Sequence, residues 1–494
     1  MPPQQVVKDL TKNLCLDTGK QSAWLYVVLA NEEDLLAEDL LLVDVRVQEP
    51  PPHDCSSNSW ERRGGGIWVL RRKFSGKIDE AVTEVDVLFG TNAVDPRPQW
   101  KLMQSSLQLN AQPTVTVARL SVLYGRAKPI SDPRAVLRVE EDGTFKILQI
   151  SDTHMVTLDG TCTDRSDAHR KKLPDSDDAD LRTVNLICKI LDEEKPNFVV
   201  LSGDLLHHGI PHSKTAILKL LAPIIERSIP FAAVFGNHDS EGTHALSRTA
   251  QMSIFQGLPL CLSESGPEQV GGVGNFHVEV LGPAPSEVPA LNLYFLDSHG
   301  EIPNWRQKPD YAPIEESQIR WFRNVRQAQR GLHNDSCLRA SIVFMHIPLP
   351  EFKDPRLLIR SGHRAEPTEC PSVNSHFYDA LAEEGVSALG CGHDHVNDFC
   401  ALMPQQKRRG GGESHDHRPW LCHAGAAGYG VYCSYGYEFF QRGARVWELR
   451  NNVLKTWRRR EHDEERVDEL VLVENRAVVD VLGGEGGATS CAVS

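Results

Sequence analysis

Five apolar runs in this chain end in the same small set of residues. KILQI leads to Asp152 and His154, FVVLSG to Asp204, FAAVFG to Asn237 and His238, SIVFM to His346, and VSALGCG to His393 and His395. Short apolar runs closed by polar turns are buried strands. Between the first three lie DLRTVNLICKILDEEKPN and SKTAILKLLAPIIERSI, whose apolar spacing is helical. Strand–helix–strand alternation imposes parallel strands with helical crossovers, and the site of such a sheet lies just beyond the strands' carboxyl ends. The chain is therefore expected to be an α/β protein with its chemistry at those ends.

The alternation continues through LNLYFLDSHG, SQIRWFRNVRQAQR, ASIVFMHIPL, SHFYDALAEEG and VSALGCGHDH. The first part of the chain is different in texture. LLLVDVRV, GIWVLRRKF, AVTEVDVLFG and TVTVARLSVLYG are β-type runs between Pro and Gly breaks, with no helical period. Three regions follow: a β-rich N-terminal domain over 1–135, an α/β domain over 143–460, and an acidic, then Gly-rich, tail over 461–494.

A single strand-end Asp is ordinarily a turn residue, and a single His an ordinary imidazole. Five ends in one order carrying Asp, His and Asn are another matter. Imidazole, carboxylate and amide oxygen together suit a pair of first-row divalent metals. Glycines before Asp204, Asn237 and His393 permit tight turns beside such a site. A further His–Asp–His at 415–417 lies in the polar stretch QQKRRGGGESHDH and is expected to be surface loop.

Taken as an ordered set, D-x-H, G-D, G-N-H-D, a later strand-end His and G-H-D-H resemble the five blocks of the calcineurin-like metallophosphoesterases. The resemblance covers roughly 143–460. The text around DEEKPNFVVLSGD, IPFAAVFGNHDSEG, VNSHFYDALAEEG and GCGHDHVNDFC is similar to fungal and plant purple-acid-phosphatase-like proteins of the yeast Dcr2 type. This resemblance implies a four-layer α/β/β/α sandwich with two divalent or mixed-valence transition-metal ions, Fe, Mn or Zn. It places Asp152, His154 and His395 on one ion, Asn237, His346 and His393 on the other, and Asp204 between both. His238, beside Asn237, is then the donor to the leaving-group oxygen or a stabiliser of the transition state. His299 in LDSHG is either a contact to substrate phosphate or a structural hydrogen-bonding residue. Asp239 and Asp394 would orient the ligands.

One block departs from true purple acid phosphatases. Their G-D-x-x-Y carries an iron-binding tyrosinate, whereas this chain reads GDLLH with His207 in that place, followed by His208. Ferric preference is therefore not expected. The loop CHAGAAGYGVYCSYGY is bulkier than the family's Gly-rich loop, so pocket shape is expected to differ. The implied activity is hydrolysis of phosphate monoesters, with a phosphoprotein as one candidate substrate. Alternatives are a phosphodiesterase on nucleotides or phospholipid head groups, and a non-catalytic metal-bound scaffold.

The formal net charge of -14 argues against nucleic acid as a partner, and the Arg408-Arg409 and Arg458–Arg460 runs are expected to be solvated surface. No apolar run is long enough to span a bilayer. MPPQQVVKDLTKN lacks the pattern of a secretory signal, so a cytoplasmic location is expected. The scattered cysteines are expected to be free thiols in a reducing compartment. The ending CAVS, Cys491 to Ser494, fits a farnesylation signal, which would add a transient membrane-associated fraction.

Overall fold

The computed structural model describes residues 8–16, 22–48, 60–111, 115–127, 135–157, 178–303, 310–332, 340–404, 417–428, 441–475 and 477–480. Cys491, Arg408, Arg409, His415 and the loop 429–440 lie outside them.

Residues 8–124 form three small antiparallel sheets: Lys8–Asn13 with Trp24–Leu29, Leu40–Val47 with Ile67–Lys73 and Trp60–Arg62, and Val82–Phe89 with Ala118–Tyr124 and Trp100–Leu102. Val45, Val69, Val87, Phe89, Leu120 and Val122 close a common core. This β-rich region is tied to the rest of the chain by charge. Asp86, held within the region by Lys12 at 3.0 Å and Arg97 at 2.9 Å, also takes Lys214 of the main body at 2.9 Å.

The main body holds two large sheets. Strand β1 (Thr144–Ile150), helix α1 (Ala179–Glu194), β2 (Phe198–Ser202), α2 (Ser213–Glu226) and β3 (Phe231–Val234) build the parallel half of the first. After α3 (Arg248–Gln256), strand β4 (Phe276–Leu281) starts the second sheet. It continues through β5 (Pro289–Phe295), α4 (Glu316–Leu332), β6 (Ala340–Phe344), β7 (Leu358–Ser361), α5 (Phe377–Glu383), β8 (Ala388–Cys391), β9 (Cys400–Leu402) and β10 (Trp420–His423). β5, β6, β8 and β10 are parallel neighbours. β11 (Gly443–Arg450) returns antiparallel to β1, and β12 (Val453–Arg460), β13 (Val467–Glu474) and the short strand Ala477–Val478 complete the first sheet.

Strand alternation sets the layers. Phe198 and Val200 of β2 meet Leu293, Phe295, Ile342 and Phe344 between the sheets. Val199 and Leu201 point the other way, to Leu186, Ile190, Ile217 and Leu221 of α1 and α2. Val343 and Leu389 likewise face Ile319, Phe322, Phe377 and Leu381 of α4 and α5. With both faces covered, every residue of β2 and β6 is buried, which explains their unbroken apolar text. This is the expected four-layer α/β/β/α sandwich with a β-rich N-terminal region. Among the described residues no helix is long and apolar enough to cross a membrane.

Three expectations are corrected. Residue 460 does not end the folded body: β13 pairs with β12, and Leu472 and Val473 are buried, the flanking acids having hidden the strand. Arg458 and Arg459 are buried rather than solvated, because β12 lies inside the sheet, while Arg460 pairs with Asp398 at 2.9 Å. Cys400 and Cys422 are not free thiols; they face each other across β9 and β10 and are joined as a disulfide.

Candidate metal centre

The carboxyl ends of both sheets meet at one edge of the sandwich. Beyond β1 and β2 the two chains continue side by side: Asp152 N–H donates to the Gly203 carbonyl at 3.0 Å, His154 N–H to that of Asp204 at 3.0 Å, and Met155 N–H to that of Leu205 at 2.8 Å. Asp152, His154, Asp204 and His393 all adopt positive φ, of 53°, 44°, 48° and 78°. Left-handed backbone costs a non-glycine residue roughly 1 kcal/mol or more and persists where surroundings enforce it. Glycine is required beside them. A Cβ on Gly236 would overlap the Asp204 carboxylate, and one on Gly203, itself at φ 93°, would overlap the His346 ring.

These turns bring the strand-end residues into one cluster. Asp152, His154, Asp204 and His395 each present a ligand atom within 4.8 Å of the others, and so do Asp204, His346 and His393. Asp204 belongs to both groups. His346 Nε2 is 3.1 Å from Asp204 Oδ2, and His154 Nε2 is 3.7 Å from it. Across the cluster, His395 Nε2 is 3.8 Å from Asp152 Oδ1. Asn237 Oδ1, His154 Nε2, His346 Nε2, His393 Nε2 and Asp204 Oδ2 are buried without a hydrogen-bond partner. Buried polar atoms are nearly always satisfied, so five orphaned donor atoms on nitrogen and oxygen fit a pair of cations. Two of these residues are held by their second atoms: His346 Nδ1 bonds the Ser202 carbonyl at 2.9 Å, and Asp204 Oδ1 accepts His238 N–H at 2.8 Å.

Electrostatics agree with that fit. Burial pushes the His154 and His393 imidazoles well below the usual range, so both rings are neutral and competent as ligands. Burial alone would raise Asp204, but the facing His346, His238 and His154 rings hold it well below an ordinary carboxylate. Burial would likewise depress His346, yet Asp204 and Asp152 raise it to about 9, so a cation at this ring would have to displace its proton.

Around the cluster the assigned neighbours separate. His238, whose side chain is 30% exposed, lies at the mouth with Nε2 4.0 Å from Asp204 Oδ2 and Nδ1 2.5 Å from Glu241 Oε2. Burial is outweighed there by Glu241 and Asp204, and the ring rises to about 9. His299 makes a structural hydrogen bond: its Nε2–H donates to Gln318 Oε1 at 2.8 Å, since the Gln318 amide nitrogen is spent on Asn275 and the Asp297 carbonyl. Asp239 accepts the N–H groups of Leu206 at 2.9 Å and Gly236 at 2.7 Å, so it holds together the loops that carry Asp204 and Asn237. Asp394 accepts Glu369 N–H at 3.0 Å and lies 3.2 Å from His423 Nε2. His417 of the second His–Asp–His bonds the Val386 carbonyl at 2.6 Å and is no part of the site.

Several participants had no signature in the sequence. Glu241 holds His238. Arg248, on α3, donates to the carbonyls of Gly236 and His299, both at 2.7 Å, and pairs with Asp297, so it fastens the β3 loop to the β5 loop. Tyr311 sets its ring edge-on to His393, 4.7 Å between centroids, and its hydroxyl donates to Glu369 at 3.2 Å. The Ala424–Gly428 segment clamps the ligand loops: Ala426 N–H donates to His395, Ala427 N–H to Ser151 and Gly428 N–H to Asp152.

A four-layer sandwich whose two sheets converge on such carboxylate and imidazole groups defines the metallophosphoesterase class. The chain belongs to the calcineurin-like phosphoesterase family, whose model matches residues 145–397 and whose members bind two metal ions. It is 30% identical over 393 residues to phosphatase DCR2 of Saccharomyces cerevisiae, covering 76% of this chain and 64% of the yeast protein. The chain thus spans less than two thirds of that relative's length. It is 33% identical over 359 residues to probable inactive purple acid phosphatase 14 of Arabidopsis thaliana, covering 66% of this chain and 83% of that one. A dimetal phosphatase from Danio rerio is similar in structure at a TM-score of 0.42 and 14% identity, covering 67% of this chain and 99% of that one.

Proposed function

We propose that this chain is a dinuclear phosphatase that hydrolyses phosphate monoesters, including phosphorylated side chains of proteins. The observation that carries the reading is Asp204, one carboxylate common to both ligand groups, surrounded by orphaned nitrogen and oxygen atoms. Asp152, His154, Asp204 and His395 would hold one ion, and Asp204, Asn237, His346 and His393 the other. When bound, the pair supplies Lewis-acid activation of water and neutralises phosphoryl charge. His238 then donates a proton from Nε2 to the departing ester oxygen, with Glu241 fixing the opposite nitrogen. Its position at the solvent-reached mouth supports a leaving group as large as a protein side chain. A donor set of nitrogen and oxygen without thiolate suits Mn, Fe(II) or Zn. His207, in place of a tyrosinate, removes the feature that favours Fe(III).

The test is metal content by mass spectrometry, joined to rates on 4-nitrophenyl phosphate and bis(4-nitrophenyl) phosphate. About two ions per chain and faster turnover of the monoester are expected. Faster turnover of the diester would replace the reading with a phosphodiesterase. Full metal content without turnover of either would leave a metal-bound scaffold.

A further inference from the structure

Two imidazoles at the mouth have no part in the proposed hydrolysis. His207 is half-buried and His208 exposed, directly beyond Asp204. Their loop is well anchored. Met155 and Leu206 form a parallel bridge that prolongs the β1–β2 pairing, and His207 N–H donates to the Met155 carbonyl at 3.0 Å. The His207 ring turns back on its neighbour, Nδ1 donating to the His208 carbonyl at 2.5 Å, and the two rings stack with centroids 4.1 Å apart.

An exposed histidine ordinarily samples several rotamers. Here stacking aims the His208 ring along a row that starts in the cluster. His154 lies 5.4 Å from His238, centroid to centroid, and His238 lies 5.4 Å from His208. The row runs from a ligand, through the proton donor, to solvent. Glu241 lies beside it, but on the Nδ1 side of His238. Among the described residues no protein group hydrogen-bonds the His208 ring nitrogens.

We propose that His208, positioned by His207, selects phosphomonoesters whose leaving group carries a second anionic oxygen group near the ester oxygen. The assignment rests on the monoesterase reading given above. With the phosphoryl group over the cluster and the ester oxygen at His238, the next donor outward is His208, one ring spacing further. An imidazole N–H meeting a carboxylate or a second phosphate makes a charge-assisted hydrogen bond, stronger than one to a neutral acceptor. The neutral part of the substrate gains nothing from it.

Matched pairs test this: phenyl phosphate against 2-carboxyphenyl phosphate, and a phosphoserine peptide with neighbouring Gln against the same peptide with Glu. In the wild type the anionic member of each pair is expected to have the lower KM. His208→Ala should raise KM for the anionic member about tenfold more than for the neutral one. His208→Arg, which restores a donor, should recover the discrimination, and His207→Ala should blunt it by freeing the ring. Melting temperature and metal content verify that each variant is folded and loaded. A preference seen only with the carboxyphenyl pair places the second anion on small substrates, and one seen only with the peptides places it on proteins; either supports the role. Equal KM changes within both pairs, or unchanged discrimination in His208→Ala, would overturn the role of His208 alone. Failure of the loaded wild type to turn over any member would overturn the monoesterase reading and this assignment with it.

Discussion

His346 Nδ1 donates to the carbonyl oxygen of Ser202 at 2.9 Å. The two residues belong to different sheets, Ser202 closing β2 and His346 following β6. That bond fixes the ring orientation and leaves Nε2 directed at Asp204, 3.1 Å away. The seam between the sheets is thus what aims an imidazole of the second sheet at the central carboxylate of the first.

Asp204→Asn should therefore lose metal and activity together. A carboxylate common to both groups cannot be replaced by an amide without lowering affinity for both ions. Mass spectrometry of the purified variant should find well under the wild-type content, and turnover should fall by at least about 10³. Retained activity at wild-type level would exclude the dinuclear reading.

His238→Ala should keep its metal, because its ring stands 4.0 Å from Asp204 at the mouth and completes neither ligand group. A kcat loss of roughly 10²–10⁴ is expected for an alkyl phosphate. The loss should shrink for leaving groups acidic enough to depart unprotonated. Glu241→Gln should show a smaller loss with the same dependence on leaving group. Uniform losses across the series would assign both residues to structure instead.

Loaded with iron, the protein should show no violet tyrosinate band. His207 stands in the tyrosine position, and Tyr311, beside His393, hydrogen-bonds Glu369. Burial and Glu369 push its phenol up, so it stays protonated. Visible spectroscopy after iron reconstitution decides the point; a charge-transfer band would mean that another tyrosine reaches the metal.

Stability should depend on His212 in mildly acid solution. Its Nδ1 accepts Thr215 N–H at the start of α2, and its ring packs against Phe89 of the β-rich region. Burial pushes the ring down to about 4, aided by Lys214 and Lys12 against the pull of Asp86. A folded value below that of the unfolded chain means the unfolded state binds the extra proton. The contribution is complete above about pH 6.5 and lost as pH falls toward 4, at most about 3 kcal/mol. His212→Asn keeps an acceptor that does not titrate. The difference between wild-type and variant melting temperatures should change across this window and be flat from pH 7 to 8.

The strand ends were legible because the parallel strands are buried on both faces, so their apolar text stops where the site begins. The layers followed from the helical period between them. Glu241 and Arg248 were not legible. Each is a single charged residue in an ordinary loop or helix: Glu241 acts only through the local turn that brings it to His238, and Arg248 only once the β3 and β5 loops are side by side. Arg458 and Arg459 misled for a related reason. A basic triplet reads as surface, but in β12 it lies under Ala424, whose carbonyl Arg458 takes, and against Glu193, which pairs with Arg459. The Cys400–Cys422 pair depends on strand register, which composition does not carry. For His299, both alternatives were open in sequence, and Gln318, 19 positions away, provides the structural one.

The separation of the ligands along the chain bears on how such a protein is made. His393 N–H donates to the Asp152 carboxylate across 241 positions, and neither ligand group is complete without residues from both sheets. A ribosome that has released only β1 to β3 has delivered Asp152, His154, Asp204 and Asn237, but none of the imidazoles from beyond β6 and β8. Long-range closure of this kind is slow compared with local helix formation. Neither ligand group can therefore close before β8 is released, so any metal held by both groups would count the chains that have finished folding rather than those that have been synthesised.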